Sequence, residues 1–205
     1  MIGLAFLAIF GVYLLLSVAL TKWAAGVAKR RGIAGWKFGL PMALLMYSLV
    51  FWDWLPMEGM FKYYCATEAG FTVYKTLDQW KQENPGVAET LVPIENPPLI
   101  RKDGVDWYFL NQRFAWAVKW EDKGLHIQRR EERIVDRETG EVLAQYVDFR
   151  TDIPPFGLGT RRSGAYKLWM MKGSCERGVG QITKPVRFEF SKYMYLVQYQ
   201  REYEK

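Results

Sequence analysis

Net charge +6 spread over 205 residues suggests a basic soluble protein, but the distribution of that charge excludes the reading. Residues 1–55 hold five basic side chains (Lys22, Lys29, Arg30, Arg31, Lys37) and one acid, Asp53, while the rest of the chain holds 23 basic and 21 acidic groups. A nearly neutral domain lacks the basic surface a nucleic-acid binder needs, so no nucleic-acid partner is expected, and the length suits a membrane segment plus one compact domain of roughly 150 residues.

Met1 to Thr21 carries no charged side chain. As a helix this stretch reaches about 31 Å, close to the thickness of a hydrocarbon core. Its basic residues follow the apolar run instead of preceding it, which favours an uncleaved span over a signal peptide. A second apolar run, Phe38 to Trp52, is short, with Pro41 tolerated in its first turn. Its proximity to the stronger span predicts a two-helix transmembrane hairpin with spans at about 2–21 and 38–54. Lys22, Lys29, Arg30, Arg31 and Lys37 lie in the connection 22–37, and loops rich in Lys and Arg stay on the cytoplasmic side. That orientation sends residues 56–205 outward, into the periplasm if the membrane is a bacterial inner membrane.

The chain leaves the second run through Phe51-Trp52-Asp53-Trp54. Phe51, Trp52 and Trp54 have the composition of an aromatic belt at the membrane interface, with Asp53 at headgroup depth. Met57 to Gly70 predicts a short interfacial helix closed by Gly70. Gly35 and Gly39 have the spacing of a helix-dimerisation motif, at the edge of the second run. Cys65 and Cys175 are the only cysteines. In a reducing compartment they would be buried thiols, whereas outside the cytosol an even count invites a disulfide, with distance as the deciding condition.

Thr76 to Gln79 has the form of a capping box and opens a helix LDQWKQE that Asn84-Pro85-Gly86 stops. From Leu99 the period changes to that of antiparallel strands. LIR and VDWYFL flank Lys102-Asp103-Gly104, RFAWAVKW alternates large and small side chains, and LHIQRREERIV and EVLAQYVDF flank Asp136–Gly140. Further strands are predicted at AYKLWMM and VRFEFSKYMYLVQYQ. The expected fold is membrane-anchored α+β: the helical hairpin, then a mainly antiparallel meander of about five to seven strands with one or two helices.

His126 is the sole histidine, and neither it nor the distant cysteines have metal-ligand spacing, so no metal or cofactor is expected. Glu131, Glu132, Asp136, Glu138 and Glu141 crowd one hairpin, but Arg129, Arg130, Arg133 and Arg137 are interleaved with them. A solvated cross-strand charge ladder explains that pattern better than a catalytic carboxylate pair. The loop 154–164 offers Gly157, Gly159, Arg161 and Arg162 as a partner or anion contact, without the ending of a P-loop. Tyr193, Tyr195 and Tyr199 alternate along the last segment and are candidate edge-strand contacts.

Residues 53–86, DWLP through YYCATEAGFTVYKTLDQWKQENPG, resemble uncharacterised small membrane proteins of proteobacteria and their prophage-like elements, with RIVDRETGEVL a looser echo. The resemblance implies an inner-membrane setting and no assigned activity. The expected function is a non-enzymatic, membrane-anchored periplasmic subunit that binds a protein partner in an envelope assembly. The alternatives are an envelope enzyme acting on peptidoglycan or lipid, and a protein that excludes phage.

Overall fold

The computed structural model describes residues 2–151, 173–175 and 186–200, which fall into two compact units divided after Pro56. In the first unit, α1 (Ile2–Arg30) and α2 (Trp36–Phe51) pack antiparallel through a five-residue connection, 31–35. The 29 residues of α1 make a helix of about 43 Å. It therefore runs nine residues beyond the expected end of the first span and carries Lys22, Lys29 and Arg30 as helical residues; only Arg31 lies in the connection, and Lys37 falls in the first turn of α2. Nothing in 22–30 breaks a helix, since KWAAGVAKR, without proline, lets it continue past the apolar boundary. Among the described residues α1 alone is long and apolar enough to cross a membrane, and a second span exists only if α2 and the next helix are counted together.

Small residues set the approach of α1 to α2. Gly39 is buried, and a Cβ there would lie 3.3 Å from the Cβ of Ala25; at Gly35 it would lie 3.2 Å from the Ala25 carbonyl oxygen. The Gly35/Gly39 spacing therefore serves contact within the chain. Along the pair the Phe10 ring meets Phe51 edge-on at 6.4 Å, Phe51 stacks on Tyr47 at 5.1 Å, and the Tyr13 hydroxyl donates to the Met46 carbonyl.

The second unit holds most of α3 (Trp54–Thr67), then β1 (Gly70–Val73), α4 (Leu77–Glu83), a 3-10 turn (Ala88–Thr90), β2 (Leu99–Lys102), β3 (Val105–Phe109), β4 (Phe114–Asp122), β5 (Ile127–Asp136), β6 (Val142–Thr151) and α5 (Val186–Tyr199). Pro56 falls in the first turn of α3, where its missing N–H costs nothing. The strands form one antiparallel sheet in the order β1-β6-β5-β4-β3-β2, a five-strand meander with β1 added against β6. The capping box is present: the Thr76 hydroxyl accepts the Gln79 N–H and the Gln79 side chain accepts the Thr76 N–H.

One face of the sheet carries the core. Leu77 and Trp80 from α4, with Phe190, Tyr193 and Val197 from α5, bury Phe114, Ile134, Ala144 and Tyr146. Each large apolar side chain removed from water there contributes about 1.5–3 kcal/mol. On the opposite face Tyr64 of α3 stacks on Phe149 at 5.0 Å.

Three expectations are corrected. VRFEFSKYMYLVQY is helix α5, not a strand. Its buried positions are Phe190, Tyr193 and Val197 with Val186 half-buried, a 3.6-residue period that coincides with the alternation only at Tyr193 and Val197. The unmet need of the Phe114/Ile134/Tyr146 face for a covering layer decides between the two readings. Strand β5 starts at Ile127, because Gly124 (φ 79°), Leu125 (φ 49°) and His126 (φ 63°) are all left-handed and make the turn. Finally, Gly70 does not cap α3; it opens β1, which had not been foreseen. The expected strand AYKLWMM lies outside the described residues.

Replacing Gly39 by Leu should wedge α1 from α2 and cost about 1–3 kcal/mol. Gly11→Leu, where an added side chain meets nothing within 4 Å, should be nearly neutral. Thermal unfolding of both variants in detergent checks the contrast.

Candidate functional site: an arginine–carboxylate lattice on the sheet

The segment Arg129-Arg130-Glu131-Glu132-Arg133 places charges in register with the two-residue period of β5. Each face of the strand thereby receives its own acid and its own arginines. On the α3 side, buried Glu131 bonds Arg129 and Arg133, and Gln145 of β6 donates to it at 2.8 Å. On the core side Glu132, sealed from solvent, pairs with Arg130 at 3.0 Å and with Arg187 of α5, and accepts the Trp116 indole N–H at 2.8 Å. Burial by itself would push the Glu131 carboxyl up, but the hydrogen bonds from Arg129 and Arg133 outweigh it and hold the group below the usual carboxylate range.

The end of the hairpin is tied the same way. Asp136, fully buried, accepts Arg113 Nε at 2.7 Å, the Glu138 backbone N–H at 2.9 Å and the Trp80 indole at 2.9 Å. Glu138 also pairs with Arg113, and Glu141 pairs with Lys75 at 2.6 Å. All five hairpin acids are thus engaged by bases. A general acid or nucleophile needs a carboxyl uncommitted enough to exchange protons or attack, and this hairpin does not supply one.

Beside the lattice a cleft of about 510 Å³ opens between the end of α3 and β1, with Glu68, Thr72, Tyr74, Arg129 and Gln145 on its walls. Tyr74 donates to Gln145 at 2.6 Å, and Arg129 lies 3.6 Å from Glu68, so its polar groups are largely bonded to one another.

Cys65 of α3 and Cys175 form a disulfide, with Cα atoms 5.4 Å apart and a sequence separation of 110. Strand β1 pairs with β6 only as far as Val147, and Cys175 docks next to the uncovered remainder: its N–H donates to Asp148 Oδ1 at 2.9 Å.

The remaining expected site residues are dispersed. Phe51 packs inside the helical pair, Trp52 is exposed, Trp54 is half-buried, and Asp53 is buried, not exposed at an interface. Tyr193 is no edge-strand contact; its hydroxyl donates to the Lys75 carbonyl at 2.5 Å, and burial pushes its pKa up. Tyr195 and Tyr199 pack against each other with tilted rings, centroids 4.5 Å apart, on the helix instead of a strand. Gly157, Gly159, Arg161 and Arg162 lie outside the described residues. Among the described residues no group of three or more His, Cys, Asp or Glu side chains converges as a metal ion would require.

Sequence reasoning missed Asn111. Fully buried, it donates to the Val197 carbonyl at 3.1 Å and accepts the N–H groups of Arg113 and Phe114, pinning the end of α5 to the start of β4. Only its place between two strand signals, at a turn, was visible beforehand. Comparison with family models, curated proteins and solved structures finds no match to this chain, so the resemblance of residues 53–86 gains no support from them.

Two outcomes follow. Glu131 has its folded-state pKa below the unfolded value near 4.5, so its contribution is complete above that pH and is lost as pH falls through the depressed value. Glu131→Gln should lower the melting temperature at pH 7, and the gap to wild type should narrow as the pH falls below 4.5. Cys175→Ala opens a loop of 110 residues and should cost up to about 4–5 kcal/mol, read by denaturant unfolding with and without reductant.

Proposed function

We propose that this chain is a membrane-anchored periplasmic protein that binds a protein partner as an accessory subunit of an envelope assembly, without chemistry of its own. One observation carries the reading: an apolar helix long enough to span a bilayer precedes an α+β domain whose clustered acids are all spent on ion pairs. Residues 1–55 then serve as the two-helix anchor and residues 56–205 as the exported domain. Lys22, Lys29, Arg30, Arg31 and Lys37 hold the α1–α2 end at the cytoplasmic surface by the positive-inside rule. Exposed Trp52 suits the opposite interface.

A disulfide agrees with an oxidising compartment. Strand β2 supports the binding role: it is an outer strand of the sheet, and Leu99 and Ile100 are exposed on its two faces. An open edge of this kind accepts a partner's strand through backbone pairing, while Arg101 and Lys102 limit indiscriminate pairing. The enzyme alternative calls on unpaired acids of the domain, and the hairpin acids, being ion-paired, lend it no support.

A membrane-impermeant maleimide applied to intact cells separates the compartments. Cys65 and Cys175 should label only after an impermeant reductant; labelling that appears only on lysis would place the domain in the cytosol. Purification from mild detergent should then retain a stoichiometric partner, and Ile100→Asp should release it.

A further inference from the structure

Trp120, Arg130 and Asp148 face one another in a single row across β4, β5 and β6. Arg150, one row on, lies over the Trp120 ring at 3.9 Å, and Arg130 approaches the same ring at 5.3 Å. The neighbouring row adds Glu132 with Arg187. These charges are unequally satisfied. Glu132 takes both Arg130 and Arg187, and Asp148 receives the Cys175 N–H. Among the described residues the Arg150 guanidinium has neither a hydrogen bond nor an ion pair; its contacts are the indole beneath it and two charges felt through space. Burial first, then repulsion from Arg130, pulls its pKa below the usual guanidinium range, with Asp148 opposing.

Among the described residues, Arg130 and Arg187 share Glu132, while no acid lies within ion-pair distance of the Arg150 guanidinium. A guanidinium lying over an aromatic ring spends its face on the ring and keeps its N–H edge for a planar, two-pronged contact. Oxyanions with two oxygens in reach are the ligands that edge fits best.

We propose that Arg150, supported by Trp120 and backed by Arg130, is a binding site for a phosphate group. The group is either free phosphate or the headgroup of an anionic lipid. Binding places two oxygens on the Arg150 edge and relieves the Arg130–Arg150 repulsion. The site is independent of the protein-partner reading, because it needs only the sheet.

Phenylglyoxal modification of arginine, quantified per residue by mass spectrometry, tests it on the full chain. In neutral-detergent micelles, inorganic phosphate at ten times its dissociation constant should slow modification of Arg150 about tenfold relative to chloride at equal ionic strength. Arg101, already bonded to Asp106 through two contacts, should react at an unchanged rate. A second arm uses nanodiscs with or without phosphatidylglycerol in phosphate-free buffer. Protection in micelles assigns free phosphate, and protection only in phosphatidylglycerol discs assigns the lipid headgroup. Protection in neither arm, or equal slowing of Arg101, would overturn the site.

Discussion

A carboxylate sealed from water must be matched by donors or it destabilises the fold around it. Asp136 is that group here, and much of the domain is arranged to match it. Trp80 reaches it from α4, Arg113 from the β3–β4 connection, and Glu138 from the hairpin turn. One buried charge therefore fixes the seat of a helix on the sheet, the entry into β4 and the exit from β5. Arg113 also lies over the Trp80 ring, so the same pair is held by charge and by packing.

The lattice on β5 extends this logic to strand register. Glu131 and Glu132 are adjacent in sequence but face opposite sides of the sheet, each among its own arginines. Slipping the strand by one residue would carry each acid to the other face with its same-strand arginines, but Glu131 would lose Gln145 and Glu132 would lose Trp116 and Arg187. The apolar alternation of β4 and β6 sets the same register, so packing and electrostatics reinforce each other. The tryptophans fit the scheme as hydrogen-bond donors and guanidinium platforms: Trp116 bonds Glu132, and Trp120 carries Arg150.

Local signals translated well into structure where the physics is local. The capping box at Thr76, the Asp103-Gly104 turn, and the strand periods of β4 to β6 each depend on residues a few positions apart. The signal failed where two periods overlap. In α5 a run of tyrosines satisfied a period of two by coincidence, and the helix formed because a bare apolar face needed a layer. Strand β1 was illegible because GFTV has little meaning until β6 offers it an edge.

By itself the sequence determined that an apolar N-terminal segment precedes an α+β body with a mainly antiparallel sheet, because hydropathy and side-chain period are properties of neighbours along the chain. It also determined that Glu131 and Glu132 would meet arginines, since interleaving puts opposite charges on each face of one strand, but not that these acids are buried instead of solvated. Only the tertiary structure decided that Cys65 lies within bonding distance of Cys175, that residues 186–199 are a helix, and that the Arg150 guanidinium lies over Trp120. Those facts depend on distances between residues far apart in the chain, and such distances exist only once the sheet and its covering helices have packed.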